Sequence, residues 1–511
     1  MSCSRGFALF LTAVAAVAAL GLRVTAQTAP EDPAALLERA AGLYDSARYN
    51  EALDAYDGVL RAGDGALTDR ARRGKVRTAL RVAEFETAWR EAELLNEGPL
   101  GDAESQALLG DALWAVGRFD ESDAAFREAI EMTPGFARAR FGLARSLASH
   151  SRLDEALRES LLAADGAPTD PEIHALVGFT YERLNQYTEA ADAFERYLAL
   201  LPPRAPKEEN QMAAIFQNKV RLLRSFRGRA PMELEGNPDR VHRVPFRLVD
   251  SKIVVQGRVN RTPVEFVLDT GSERTGVSDV TARRAGLVTI ASTLTAGVGI
   301  PALRRLDMTR AETLEVGGMR MRNVPLAIRG PLRNALPRWQ KESLSPLSLG
   351  LSVAIDYQRR EVMLARTFPE SEDDFVLPMR MNRLPLVRGL LNSSHPAYFV
   401  VDTGGVLISI SAETATALDM KPVRRIPLRV YGMSGIDANA YLLPGVDVDF
   451  DEIEYRNVGL AVLNLRAPSV LLGFQVGGIV GHRFLSEYRV TMDMGRSELR
   501  LKKFDRAVSS R

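Results

Sequence analysis

The chain has 511 residues, of which 46% are hydrophobic and 26% charged, a composition that excludes intrinsic disorder and leaves room for about three domains of about 150 residues each. Its 66 Lys and Arg nearly balance 65 Asp and Glu, so no overall field argues for nucleic acid or an anionic surface as a partner.

At the N-terminus, Arg5 precedes the apolar stretch FALFLTAVAAVAALGL (7–22), and Val24-Thr25-Ala26 supplies small residues before Gln27. This is the three-part pattern of a secretory signal peptide spanning residues 1–26. An uncleaved anchor is the alternative, but 16 residues are short for a hydrocarbon core of about 30 Å. No later stretch approaches that length, so no membrane span is expected after cleavage. The one cysteine, Cys3, lies ahead of the apolar stretch, which leaves a mature chain without disulfides, thiolate nucleophile or Cys-based metal site. The expected location is the periplasm or the extracellular side of a bacterial envelope.

From about residue 34 to 229 the chain is rich in Ala, Leu, Arg and Glu, with apolar residues at helical spacing. RYNEALDAY (48–56), EFETAWREA (84–92), RFDESDAAF (118–126), RLDEALRES (152–160) and QYTEAADAF (186–194) recur along it. Their small residues Ala52, Ala88, Ser122, Ala156 and Ala190 are 36, 34, 34 and 34 positions apart. With Gly110 and Gly178 where two helices would approach and Pro134, Pro168 and Pro202 after the second helix, the pattern resembles the tetratricopeptide repeat. The resemblance implies an all-α solenoid whose stacked units share one core, closed by an amphipathic helix over 207–226. It also implies a concave surface for peptides or partner proteins; a spacer or an oligomerisation surface is the alternative reading.

GRAPMELEGNPDR (228–240) interrupts the helical pattern, and residues 230–243 are read as a linker. Beyond it, short Val, Ile, Leu and Phe runs broken by Gly, Asn and Pro indicate β structure. The β region is written twice, as 244–368 and 374–505. FVLDTGSERTGVSDVTARRAGL (266–287) lies without a gap over FVVDTGGVLISISAETATALDM (399–420). RNV recurs at 322–324 and 456–458, and VAIDYQRREVML (353–364) answers VTMDMGRSELRL (490–501).

An apolar strand running into Asp-Thr-Gly, present in two related halves, resembles the aspartic peptidases, and the compact halves are most similar to retropepsin modules fused in one chain. The expected fold is therefore an all-α tetratricopeptide-repeat solenoid followed by an all-β, bilobal, double-retropepsin domain. The chemistry requires two copies, because one carboxylate with a pKa of about 3.9 is a poor base at neutral pH, whereas two that face each other share a proton. The resemblance implies that Asp269 and Asp402 form such a pair and titrate together. It further implies that Thr270 and Thr403 interlock the two loops, that Gly271 and Gly404 let backbone approach the carboxylates, and that Ser272 bonds the outer oxygen of Asp269. Gly405 has no side chain to do so for Asp402.

The halves are expected to differ. Each half of the family carries a second glycine turn beside the active loop, present here as Gly478-Ile479-Val480-Gly481. Aligning back from Asp356 places KESL (341–344) at that point of the first half, so an eroded turn is expected there. TAGVGIPA (295–302) and VYGMSGID (430–437) are the candidate flaps, with Gly297, Gly299, Gly432 and Gly435 allowing tight turns. Tyr431 is either a shield for the site or an ordinary strand aromatic. His482 is read as a surface or packing histidine rather than a catalytic one. Five scattered histidines and no HExxH, Walker or GxSxG pattern leave metal, nucleotide and serine-hydrolase chemistry without support, and neither metal nor other cofactor is expected.

The resulting expectation is an exported aspartic endopeptidase, able to act as a monomer, that cleaves protein or peptide substrates recruited through the repeat array. Two alternatives stand beside it: a non-catalytic peptide-binding scaffold with a degenerate protease fold, and an enzyme whose halves pair between chains.

Overall fold

In the computed structural model, the residues described are 32–63, 65–97, 101–201, 207–299, 302–330, 337–420, 426–432 and 435–504. The signal-peptide segment 1–26 and Pro202 lie outside them. Among the described residues no helix is long and apolar enough to cross a membrane.

Five helix pairs occupy the repeat region: Pro33–Asp45 with Tyr49–Ala62, Gly65–Arg81 with Phe85–Asn96, Ala103–Ala115 with Phe119–Met132, Ala137–Ser149 with Leu153–Gly166, and Pro171–Arg183 with Tyr187–Ala199. Lys207–Arg224 follows as the closing helix. The pairing has a local cause. Each intra-pair turn holds one left-handed residue, Ala47, Ala83, Gly117, Ser151 or Asn185, recurring at the repeat period. The marker residues Ala52, Ala88, Ser122, Ala156 and Ala190 each sit three positions into a second helix and are fully buried. Only a small side chain fits there against the neighbouring helix. The close approaches at Gly110 and Gly178 are likewise real, since a Cβ on either would stand under 3 Å from the ring of Phe126 or Phe194.

On the inner helices, charges bridge the array. Arg81 of the second pair reaches Glu172 of the fifth at 3.0 Å, Arg138 joins Glu172 at 2.6 Å and Asp111 at 2.5 Å, and Arg145 completes the chain to Asp111 at 3.0 Å. Burial opposes ionisation of Glu172, but Arg81 and Arg138 hold its carboxyl down at about 2.

The C-terminal region is mostly strand. Within 230–243, read as a linker, a short strand Glu233–Leu234 pairs with Met319–Arg329. Each half is a mostly antiparallel sheet with parallel pairings around its aspartate strand, and the two halves share one core cluster that includes Phe266, Leu268, Phe399 and Val401. A six-stranded sheet joins the halves. Its order is His242–Val249, Glu361–Ala365, Ser352–Asp356, Tyr488–Asp493, Glu498–Lys503 and Phe375–Asn382. The central pairing, Ala354 opposite Thr491, lies on the pseudo-twofold axis.

The array is docked on this β region along the edge formed by its intra-pair turns. Phe119 stacks edge-on against Tyr398 at 4.7 Å and Phe474 at 5.1 Å. Buried Arg380 of the second half donates to Asp120 and Asp123 at 2.7 Å each and to Ser149 at 3.2 Å. The closing helix and the residues just after it contact the first half instead: Leu222, Leu223 and Phe226 share a cluster with Ala291, Met308 and Ala327, and Arg310 donates to the Ser225 carbonyl at 3.2 Å. One edge of the solenoid thus spans both halves.

Candidate active site

Thr262–Leu268 is an apolar strand of the first half and His395–Val401 its counterpart in the second. Each delivers an aspartate at its end, and each aspartate begins its loop with the same bond: Asp269 N–H to Leu344 O at 2.8 Å, Asp402 N–H to Val480 O at 2.9 Å. The threonines that follow cross the axis. Thr270 N–H donates to Thr403 Oγ1 at 3.1 Å and Thr403 N–H to Thr270 Oγ1 at 3.0 Å. Each hydroxyl then donates to the carbonyl before the other aspartate, Val401 O at 2.7 Å and Leu268 O at 2.8 Å. Both threonines are 1% exposed, so four satisfied bonds in a low-dielectric interior fix the two loops relative to each other. The halves that meet here belong to one chain.

The carboxylates face the opposite loops. A Cβ added to Gly271 would stand 2.5 Å from Asp402 Oδ1, and one added to Gly404 would stand 2.8 Å from Asp269 Oδ1. Glycine is required at both positions because each carboxylate occupies the space a side chain would need. Asp402 Oδ1 accepts Gly404 N–H at 2.7 Å. Burial, and next the negative charge of Asp269, push the Asp402 carboxyl up to about 7, the behaviour of two acids sharing one proton. The Lys252 ammonium, reaching from the first half to the Gly404 carbonyl, pulls in the other direction.

Ser272 departs from expectation. Its hydroxyl donates to the Arg274 carbonyl at 3.0 Å and accepts from Arg329 Nη2 at 2.8 Å. The one hydroxyl proton is committed, so Ser272 does not bond Asp269.

The second glycine turn is not eroded but rebuilt with other atoms. Strand pairing sets Glu342, Ser343 and Leu344 opposite Phe266, Val267 and Leu268, as Gly478, Ile479 and Val480 lie opposite Phe399, Val400 and Val401. This is one residue along from the alignment on Asp356, and Ser345 takes the place of Gly481. In the second half, Ser411 N–H and Thr414 Oγ1 donate to the Gly477 carbonyl at 2.9 and 3.0 Å. In the first, the equivalent Ser278 and Thr281 donate to the buried Glu342 carboxylate, with Oγ–Oε1 contacts of 2.8 and 2.6 Å. Likewise His482 N–H bonds Gly405 O at 3.0 Å, whereas the first half has Pro346 there, with no N–H, and Ser345 Oγ supplies the bond to Ser272 O at 2.6 Å.

The two candidate flaps meet. Val430–Gly432 and Gly435–Asp437 form a hairpin that includes Tyr431, and the first-half segment leaves the strand Ala291–Thr295 through Gly297. Parts of both, 300–301 and 433–434, lie outside the described residues. A Cβ on Gly299 would fall 2.6 Å from Gly435 N, and one on Gly432 would run into the Val298 carbonyl. Gly299 (φ 125°) and Gly435 (φ 136°) hold conformations that other residues rarely adopt. His482 packs edge-on against Tyr357 at 5.3 Å, in keeping with a packing role.

Sequence reading missed Lys252, Arg329, Glu342 and the docking residues Phe119 and Arg380. Arg329 carried a signal: a cation ends the otherwise apolar strand VPLAIR, where the repeat has apolar VGLAVL.

A family model described as aspartyl protease matches residues 255–353, and one described as tetratricopeptide repeat matches 108–171. The solved structures this chain resembles include YrrB, a TPR protein with an unusual peptide-binding site, at 19% identity over 34% of this chain and 88% of that one, TM-score 0.22. TTC0263, a thermophilic TPR protein in Thermus thermophilus, is 16% identical over 37% of this chain and 99% of its own, TM-score 0.32. MamA is 18% identical over 33% and 91%, TM-score 0.24. No curated protein matches. A protease-like β domain is thus joined to a repeat scaffold.

Proposed function

We propose that the protein is an exported aspartic endopeptidase in which Asp269 and Asp402 activate a water and hydrolyse peptide bonds. The observation that carries this reading is the reciprocal Thr270–Thr403 interlock, which brings the two Asp-Thr-Gly loops together so that each glycine abuts the other half's carboxylate. With one proton on the pair, the ionised carboxylate takes a proton from a water while the other donates its proton to the scissile carbonyl oxygen. The resulting tetrahedral diol collapses when the amine leaves with a proton returned from the pair. Water is consumed, an acid and an amine are released, and no covalent enzyme intermediate forms.

The paired flaps support an extended substrate laid across both halves and covered from above, with main-chain bonds supplying affinity. The docked solenoid supports recruitment of a protein substrate at a fixed distance from the cleft, since it is anchored to both halves. The N-terminal apolar segment supports export to the periplasm or beyond.

The test is hydrolysis of an unfolded protein at mildly acidic pH by the wild type, Asp269→Asn and Asp402→Asn. New amine termini with wild type alone are expected. An unchanged substrate with a folded, peptide-binding wild type would mark the protein as a scaffold.

A further inference from the structure

Strand alternation gives the second half two apolar faces. Phe399 and Val401 belong to the core shared by the halves, whereas Tyr398 and Val400 belong to a second cluster with Leu386, Leu463 and Phe474. That second cluster is completed from three directions. The array supplies Trp114 and Phe119, 2% and 1% exposed, from the turn of its third helix pair. The glycine turn beside Asp402 supplies Ile479, and both flaps pack on the cluster, the first through Val298 and the second through Leu428 and Val430.

The array also holds the main chain that leads to the glycine turn. Gln475 N–H donates to Ala115 O at 2.7 Å, and Arg466 pairs with Glu84 of the second helix pair at 2.9 Å. Phe474, between them, is fully buried and meets the Phe119 ring at 5.1 Å. A few residues beyond Gln475, Val480 O accepts the Asp402 N–H, so the segment fixed on the array runs directly into the support of the catalytic loop. The sequence marks the contact. Among the left-handed residues of the intra-pair turns, glycine stands only at position 117, where a Cβ would lie 3.0 Å from the Gln475 carbonyl.

We propose that the turn of the third helix pair is a working part of the cleft, with Phe119 as the positioning residue: through one cluster it sets the resting position of both flaps and of the 478–481 turn. The array is then more than a tether for protein substrates. A close-packed cluster passes a loss of volume on to all its members, so loosening Phe119 loosens the flaps and the turn together. The hydrolytic consequence rests on the peptidase reading; the mechanical one does not.

The experiment compares the full-length wild type with Phe119→Ala, with Gly117→Ala and with Leu95→Ala. Alanine already occupies the equivalent left-handed position of the first two turns, so Gly117→Ala presses on the Gln475 carbonyl without demanding a new backbone conformation. Leu95→Ala opens a cavity in the second helix pair, outside the shared cluster. Amide hydrogen exchange is read by mass spectrometry on the flap segments 295–299 and 428–432. Exchange in both is expected to rise about tenfold in Phe119→Ala and about threefold in Gly117→Ala, and to stay at the wild-type level in Leu95→Ala. Wild-type flap exchange in folded Phe119→Ala overturns the proposal; if that variant does not fold, the same result in Gly117→Ala overturns it. An equal rise in Leu95→Ala does so too, because any weakening of the array would then suffice. Hydrolysis gives the second reading, on a peptide of about eight residues, about 26 Å when extended. Its kcat/KM is expected to fall about tenfold in Phe119→Ala, and a loss confined to long protein substrates would return the array to recruitment alone. A wild type that cuts nothing while its flap exchange responds as described refutes the peptidase reading and leaves this coupling intact.

Discussion

The half built around Asp269 and the half built around Asp402 make the same bonds with different atoms. Where the second uses the Gly477 carbonyl, the first uses the Glu342 carboxylate, and where the second uses His482 N–H, the first uses the Ser345 hydroxyl. What the duplication has kept is the set of donors and acceptors around each aspartate. Side chains were free to change wherever another atom satisfied the same buried partner, which follows from the cost of leaving a buried polar group unpaired. The halves also differ in buried charge: the first holds Arg329 and Glu342 where the second has Leu463 and Gly478.

The largest effect should come from the carboxylates themselves. Asp269→Asn and Asp402→Asn are each expected to lower kcat about 10³-fold, measured by release of amine termini from an unfolded protein; a variant that kept most of its activity would show that the halves do not act as a pair. Arg380→Met leaves Asp123 buried without its cation and should destabilise the junction between array and second half by about 3 kcal/mol. Urea unfolding followed through the fluorescence of Trp114, which packs on Phe119, would register it. Thr403→Val removes the acceptor of Thr270 N–H and the donor to Leu268 O and should cost about 2 kcal/mol, with kcat falling alongside.

A pH profile sharpens the comparison further. The proton on Asp402 is held up to about 7, so kcat/KM should be flat just below that value and fall about tenfold per pH unit above it. Smallest is Ser345→Ala, expected to cost about 1 kcal/mol in the first half, where Pro346 cannot replace the lost bond. Thermal unfolding would show it.

Much of this was legible in the sequence because two periods are written into it. The five marker residues and the left-handed turn positions repeat at the same spacing, and a helix pair that must bury a small residue against its neighbour has few other ways to fold. The two Asp-Thr-Gly loops were legible as an ungapped repeat. The rebuilt turn at 342–345 was not, because residue identity gave no sign that a glutamate and a serine could stand in for main-chain groups. Docking of the array was not legible either, since it depends on a few side chains such as Phe119 and Arg380 that look like ordinary surface residues in their own repeats. Arg329 was the exception: a cation in an apolar strand, with an apolar counterpart in the other half.

The most direct test of the central claim is to mix wild type with a denatured protein at mildly acidic pH, beside Asp269→Asn and Asp402→Asn, and to identify the products by mass spectrometry. The account predicts internal cleavage by the wild type and none above background by either variant. Cleavage that survives loss of one carboxylate, or a folded wild type that cuts nothing, would contradict it.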